Sequence, residues 1–207
     1  MGKADLNKKL KMENLLNASF ELFTSQGINK TTIQDIVNKA EVAKGTFYLY
    51  FKDKYDIRNR LIAHKSSQLF MQAYNAVNES GITEFEDRII FIMNHVLDEL
   101  AANKGLLSFI YKDLSWAVFK RALTNPLNDD DVDFNEVYEN MIAESGISLK
   151  DPEVMLFMII ELVGSTGYSS IMFSDPVSLD ELKPYLERTV RGIIRSHTEK
   201  PKKDNEE

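Results

Sequence analysis

The sequence predicts an all-α fold of about nine helices, with a compact three-helix domain at the N-terminus followed by a larger helical body. Three observations predict it. Nearly every segment repeats apolar residues at the helical spacing of three and four, and no run alternates apolar and polar residues between hairpin turn signals. Gly81, Asn125-Pro126, Gly146 and Asp175-Pro176 punctuate the periodic segments. With 207 residues, 43% of them hydrophobic, the chain is long enough to bury a core over one large domain or two small ones.

The first helix is predicted over 6–25. Leu16, Phe20 and Phe23 share one stripe, Leu15, Ala18 and Leu22 lie beside it, and Gly27 stands where a C-terminal cap belongs. Thr31 or Thr32 caps the second helix, and Gln34 or Asp35 three residues on completes a capping box. Ile33, Ile36, Val37 and Ala40 form its apolar face. A short third helix covers 43–50 and a long fourth covers 53–77. Further helices are expected over 83–102, 105–123, 133–145, 151–172 and 178–197, with Thr83 and Glu86 making another capping box. The charged segment 199–207 is expected to be disordered. The domain limits are therefore 1–52, 53–198 and a 199–207 tail.

Composition excludes several classes of function. There is no cysteine, so neither disulfides nor a thiolate metal site can form, and His64, His95 and His197 are too scattered for a zinc motif. No metal or cofactor is predicted. The N-terminus, with Lys3, Asp5, Lys8, Lys9 and Lys11, lacks an apolar signal core, and the longest apolar run, 154–160, is far short of the roughly 20 residues of a membrane helix. A cytoplasmic location without a membrane partner is expected. The net charge of −7 is divided unevenly: residues 1–65 carry 12 Lys and Arg against 7 Asp and Glu, whereas the remaining 142 carry 13 against 25. A basic head on an acidic body points to an anionic partner at one end.

The head has the layout of a helix-turn-helix, in which two short helices joined by Glu41-Val42-Ala43 follow a longer one and the second enters the major groove of DNA. At 100° per residue from Ala43, the residues Ala43, Phe47, Tyr50 and Phe51 fall in one arc and form the core face. Lys44, Gly45, Thr46, Tyr48 and Leu49 occupy the opposite side. Lys44 reaches a guanine edge or a phosphate, Thr46 and Tyr48 bring hydroxyls to phosphate oxygens, and Leu49 suits a thymine methyl. Gly45 costs roughly 1 kcal/mol inside a helix, which makes sense where a backbone must approach DNA. Thr32 lies at the N-terminus of the second helix, where free amides favour an anion. Lys52 and Lys54 open the fourth helix, against its dipole, so a phosphate explains them better than folding does.

From Thr31-Thr32 through Ala40-Glu41-Val42 to Gly45-Thr46-Phe47-Tyr48-Leu49-Tyr50-Phe51-Lys52-Asp53-Lys54, the chain resembles the TetR family of bacterial repressors over about fifty residues. It departs from the family pattern at Glu41, where the turn often has glycine, and at Ala43, where the recognition helix often has a capping serine. The resemblance implies a homodimer on a roughly palindromic double-stranded operator, repression by occupancy, and release when a small molecule enters the C-terminal domain. It implies DNA contacts at Thr32, Lys44, Gly45, Thr46, Tyr48 and Lys54.

Beyond about residue 65 only pattern guides the assignment. Ile160, Val163, Gly164, Gly167 and Ile171, followed by Leu186, Val190 and Ile193, form stripes suited to a four-helix dimer interface, with the glycines permitting close approach. The middle of the chain is rich in adaptable side chains, and Phe91, Phe109, Trp116, Phe119, Tyr138, Phe157 and Tyr168 are candidates to line a cavity for a mostly apolar ligand. His95 and Glu161 interrupt apolar stretches and are candidates to orient it. No glycine-rich phosphate loop, nucleophile elbow, HExxH or recognisable carboxylate pair occurs, so an enzyme is not expected. The alternative is a ligand-independent architectural DNA-binding protein, which sequence preference and loss of DNA binding with a small molecule would distinguish.

Overall fold

A computed structural model describes residues 2–111 and 134–199. Trp116 and Phe119 lie outside them. Among the described residues the chain forms nine helices: α1 (Lys3–Gln26), α2 (Ile33–Lys39), α3 (Lys44–Tyr50), α4 (Lys54–Glu79), α5 (Phe85–Ala102), α6 (Lys104–Tyr111), α7 (Phe134–Ser145), α8 (Pro152–Phe173) and α9 (Leu179–His197).

Local chemistry sets the element boundaries. Gly27 ends α1 with a φ of +83°, its amide donating to the Phe23 carbonyl at 3.1 Å. Thr32 caps α2 in a full capping box with Asp35. In the turn to α3, Glu41 adopts a φ of +55° where glycine would sit unstrained. Ala43 is the N-cap of α3 and supplies no side-chain bond. It is also exposed, so the core face of α3 is carried by Phe47 and Phe51, with Tyr50 half-buried, rather than by Ala43. The capping box expected at Thr83 does not form: α5 starts two residues later behind Glu84, and the Glu86 carboxylate instead accepts bonds from Arg195 of α9. A complete box does form at the start of α9, between Ser178 and Glu181.

Two hydrophobic cores result. The N-terminal one gathers Leu15, Leu16, Ala18 and Phe23 of α1, Ile36 and Val37 of α2, Phe47 of α3 and Phe51, and is closed by Ile57, Leu61 and Ile62 from the first turns of α4. The second packs Ala73 and Val77 of α4 with α5, Tyr138 and Met141 of α7, and α8 and α9. Helix α4 therefore belongs to both. So does α6, whose Leu107 enters the second core while Phe109 and Ile110 enter the first. Phe109 meets Phe20 edge-on at 5.3 Å and lies nearly parallel to Phe23 at 6.4 Å, so it packs against α1 rather than lining a ligand site.

Helices α5 and α9 are joined along their length by polar pairs: Glu86 with Arg191 and Arg195, Asp87 with Arg191, Asn94 with Glu187, and Asp98 with Lys183. Helix α8 is apolar on all sides, yet only 33% of its most apolar stretch is buried. Such a helix normally lies inside a structure.

Candidate nucleic-acid interface and ligand cavity

The interface is built around α3. Phe47 and Phe51, fully buried, fix the helix against α1 and α4, and this leaves Lys44, Gly45, Tyr48 and Leu49 facing outward, with Thr46 half-buried. Leu49 is 79% exposed and Tyr48 54%. Gly45 has open space where a Cβ would stand, so no close packing within the chain demands a glycine there. Lys52 is exposed beside this face, and its amide is held by the Asp56 carboxylate at 2.9 Å.

Two of the expected phosphate contacts are placed differently. The Lys54 ammonium turns back toward the loop between α1 and α2 and donates to the carbonyls of Ile28 at 2.9 Å, Asn29 at 3.4 Å and Thr31 at 3.1 Å. Three loop carbonyls within hydrogen-bond distance of this ammonium are the folding reason that the sequence did not supply. The Thr32 hydroxyl is exposed but donates to the Asp35 carboxylate at 2.7 Å. That carboxylate also accepts the Thr32 amide, and these two bonds hold its pKa below the ordinary aspartate value. The N-terminus of α2 thus already carries an anion of its own. Lys54 and Thr32 together fix the loop that sets α2 against α4.

The second site is a cavity of about 200 Å³ in the body, enclosed by α4, α5, α6, α7 and α8. Of the seven described residues among those proposed from sequence, Tyr138 and Tyr168 line it. Tyr138 donates its hydroxyl to the Pro152 carbonyl at 3.0 Å, and burial pushes its pKa well above that of an ordinary tyrosine. Tyr168 stacks on Tyr111 with ring centroids 3.8 Å apart. Phe91 and His95 lie against each other elsewhere on α5, 6.2 Å between centroids, while Phe157 and Glu161 are exposed on the outer side of α8.

Most of the residues expected at the dimer interface line the cavity or are buried within the single chain, while Gly164 is also exposed. Ile160, Val163, Gly164, Gly167 and Ile171 all line the cavity. At Gly167 an added Cβ would stand 2.6 Å from Cδ2 of Leu97, so the close approach that this glycine permits is to α5. Leu186 and Val190 are buried on the inner side of α9, and Ile193 is half-buried beside them. The sequence missed Ser66, Leu69 and Phe70 of α4 and Ile89, Ile92 and Leu97 of α5 as lining residues. Their periodicity reads as core, and a cavity wall has the same pattern.

Comparison with known proteins agrees with this geometry. Residues 15–61 match the bacterial regulatory proteins of the tetR family. The chain is similar to the uncharacterized HTH-type transcriptional regulator YvdT of Bacillus subtilis (strain 168), 41% identical over 63 residues that make up 28% of this chain and 32% of that protein, about a third of its length. A longer similarity, 23% over 194 residues, covers 90% of this chain and 97% of the fatty acid metabolism regulator protein of Bacillus subtilis (strain 168). The fold matches that of the transcriptional regulator FadR from Bacillus subtilis, solved in complex with stearoyl-CoA, with a TM-score of 0.62 at 17% identity over 86% of this chain and 96% of that one. The N-terminal module of the chain thus matches the tetR family of bacterial regulatory proteins, and the chain as a whole shares the fold of the regulator FadR.

Proposed function

We propose that this TetR-family transcriptional regulator is a repressor that binds a palindromic operator as a homodimer and releases it when an elongated, mostly apolar small molecule occupies the body cavity. The observation that carries the DNA reading is the outward face of α3, where a leucine and a tyrosine are left exposed to water beside Lys44. In the complex Tyr48, Leu49, Lys44 and Thr46 meet the major groove, Gly45 admits the DNA backbone and Lys52 reaches a phosphate. Thr32 and Lys54 act as positioning residues for α2. Binding to chromosomal DNA requires a cytoplasmic location.

Two half-sites a helical turn apart call for a twofold dimer, and the exposed side of α8 and α9 supports one. At 100° per residue, Val154, Met158, Glu161 and Ser165 of α8 fall within an arc of roughly 60°, as do Tyr185, Thr189, Gly192 and Ser196 of α9. All eight are exposed in the single chain. A second copy covering them completes the burial that the apolar α8 lacks.

The apolar lining of the cavity, and the similarity to a regulator solved with stearoyl-CoA, support an aliphatic ligand and favour this reading over a ligand-independent architectural protein. The test is a mobility-shift titration on the DNA upstream of the gene and its neighbours. A specific, salt-sensitive complex is expected, lost in Leu49→Glu and dissociated by stearoyl-CoA or a shorter acyl compound. Equal binding to every DNA fragment, unchanged by any such compound, would favour the architectural protein.

A further inference from the structure

Ser66 lies on α4, 12 residues beyond Lys54 and so about 18 Å along the helix from the loop that Lys54 holds. It is 8% exposed, and its hydroxyl has no hydrogen-bond partner among the described residues. Ser19 shares that condition, but it sits in the N-terminal core, whereas Ser66 lines the body cavity. The other polar lining groups are accounted for differently: the Tyr138 hydroxyl is bonded to Pro152, and Tyr111 and Tyr168 stack on each other with Tyr111 at the surface. No Asp, Glu, Lys, Arg or His is among the described lining residues. A buried hydroxyl without a partner in an otherwise apolar wall is suited to meet a group brought in from outside.

We infer that Ser66 is the specificity-determining residue of the cavity, and that the ligand is an aliphatic molecule whose neutral oxygen, a hydroxyl or the carbonyl of an ester, amide or thioester, bonds to the Ser66 hydroxyl. This rests on the cavity being the effector site and adds the chemistry that the site selects. A carboxylate in the same place meets no counter-charge among the described lining residues and must be desolvated, so a free fatty acid is disfavoured against its neutral derivatives. The contact falls on the helix that carries Lys54, which ties recognition of the oxygen to the element that sets the DNA-binding head.

The full-length protein and three probes of matched chain length test this: 1-octanol, 1-chlorooctane and octanoate, with dissociation constants measured by calorimetry or by displacement of a fluorescent fatty alcohol. The wild-type chain is expected to bind 1-octanol about tenfold more tightly than 1-chlorooctane, with octanoate weakest. Ser66→Ala should remove that preference while leaving 1-chlorooctane within about twofold of wild type, and Ser66→Thr should restore it. A role in packing alone would move both neutral probes together. Equal losses for 1-octanol and 1-chlorooctane in Ser66→Ala, or a wild-type chain that does not discriminate between them, overturn the assignment while leaving the cavity as the effector site. Failure of all three probes to bind the wild-type chain overturns the cavity reading and this inference with it.

Discussion

At Gly45 the demands of folding and of DNA contact point in opposite directions. It is an exposed glycine inside α3 with open space at its Cβ position, so alanine there should stabilise the chain by about 0.5–1 kcal/mol through helix propensity. The same methyl group would stand between the helix and the DNA backbone. Gly45→Ala is therefore expected to raise the urea midpoint and to weaken operator binding, and a variant improved in both would remove Gly45 from the interface. Glu41 shows the complementary case, an ordinary residue held at a φ of +55° where the family favours glycine. Outward-facing residues of α3 were legible in the sequence because a 100° step and two buried aromatics settle the orientation of a seven-residue helix. Lys54 was not. Its partners are three carbonyls of the loop after α1, and their convergence on one ammonium depends on how α4 crosses that loop.

The elements gain their ends from a few side chains whose charge matters. Glu181 accepts two bonds from Ser178 at the start of α9, which hold its pKa below the ordinary value of 4.5. A carboxylate depressed in the folded state contributes stability above its unfolded pKa and loses it as the pH falls through the folded value. Denaturant midpoints of the wild type and Glu181→Gln should accordingly differ most near neutral pH and converge as the pH is lowered through and below 4.5. The register of α8 and α9 was predicted well, whereas their orientation was not. Because α8 is apolar all round, its period does not say which side faces a partner; the contact between Gly167 and Leu97 decides it by turning the cavity-lining side toward α5. The outer side then carries Met158 and, on α9, Gly192, both exposed. Gly192→Glu is expected to give a folded monomer at micromolar concentration with unchanged helicity, whereas Val190→Glu, placed in the core, should unfold the body. Sedimentation and circular dichroism separate the two outcomes, and a Gly192→Glu chain that remained dimeric would move the interface elsewhere.

Across the whole molecule, two elements join the basic head to the acidic body. Helix α4 contributes side chains to both cores, and α6 borders the cavity through Leu107, Ile110 and Tyr111 while Phe109 is set among the rings of α1. A change in cavity occupancy therefore has a packed route to the recognition module along α4 and another through Phe109 of α6. Phe109→Leu should keep the fold at a cost of about 1–2 kcal/mol and leave ligand affinity for the free protein nearly unchanged. The ratio of operator affinities with and without ligand should shrink severalfold. Full coupling in that variant would assign transmission to α4 alone. Among the described residues the all-helical plan was legible because helical periodicity is local, but the sharing of α4 and α6 between two cores is a tertiary property that no periodicity displays. The same sharing bears on engineering. A chimaera that grafts another regulator's head onto this sensor at the usual helix-turn-helix boundary would leave Phe109 pressed against foreign residues at positions 20 and 23. A portable seam has to carry the 109 contact with the head, or graft both sides of it together, if the hybrid is to remain inducible.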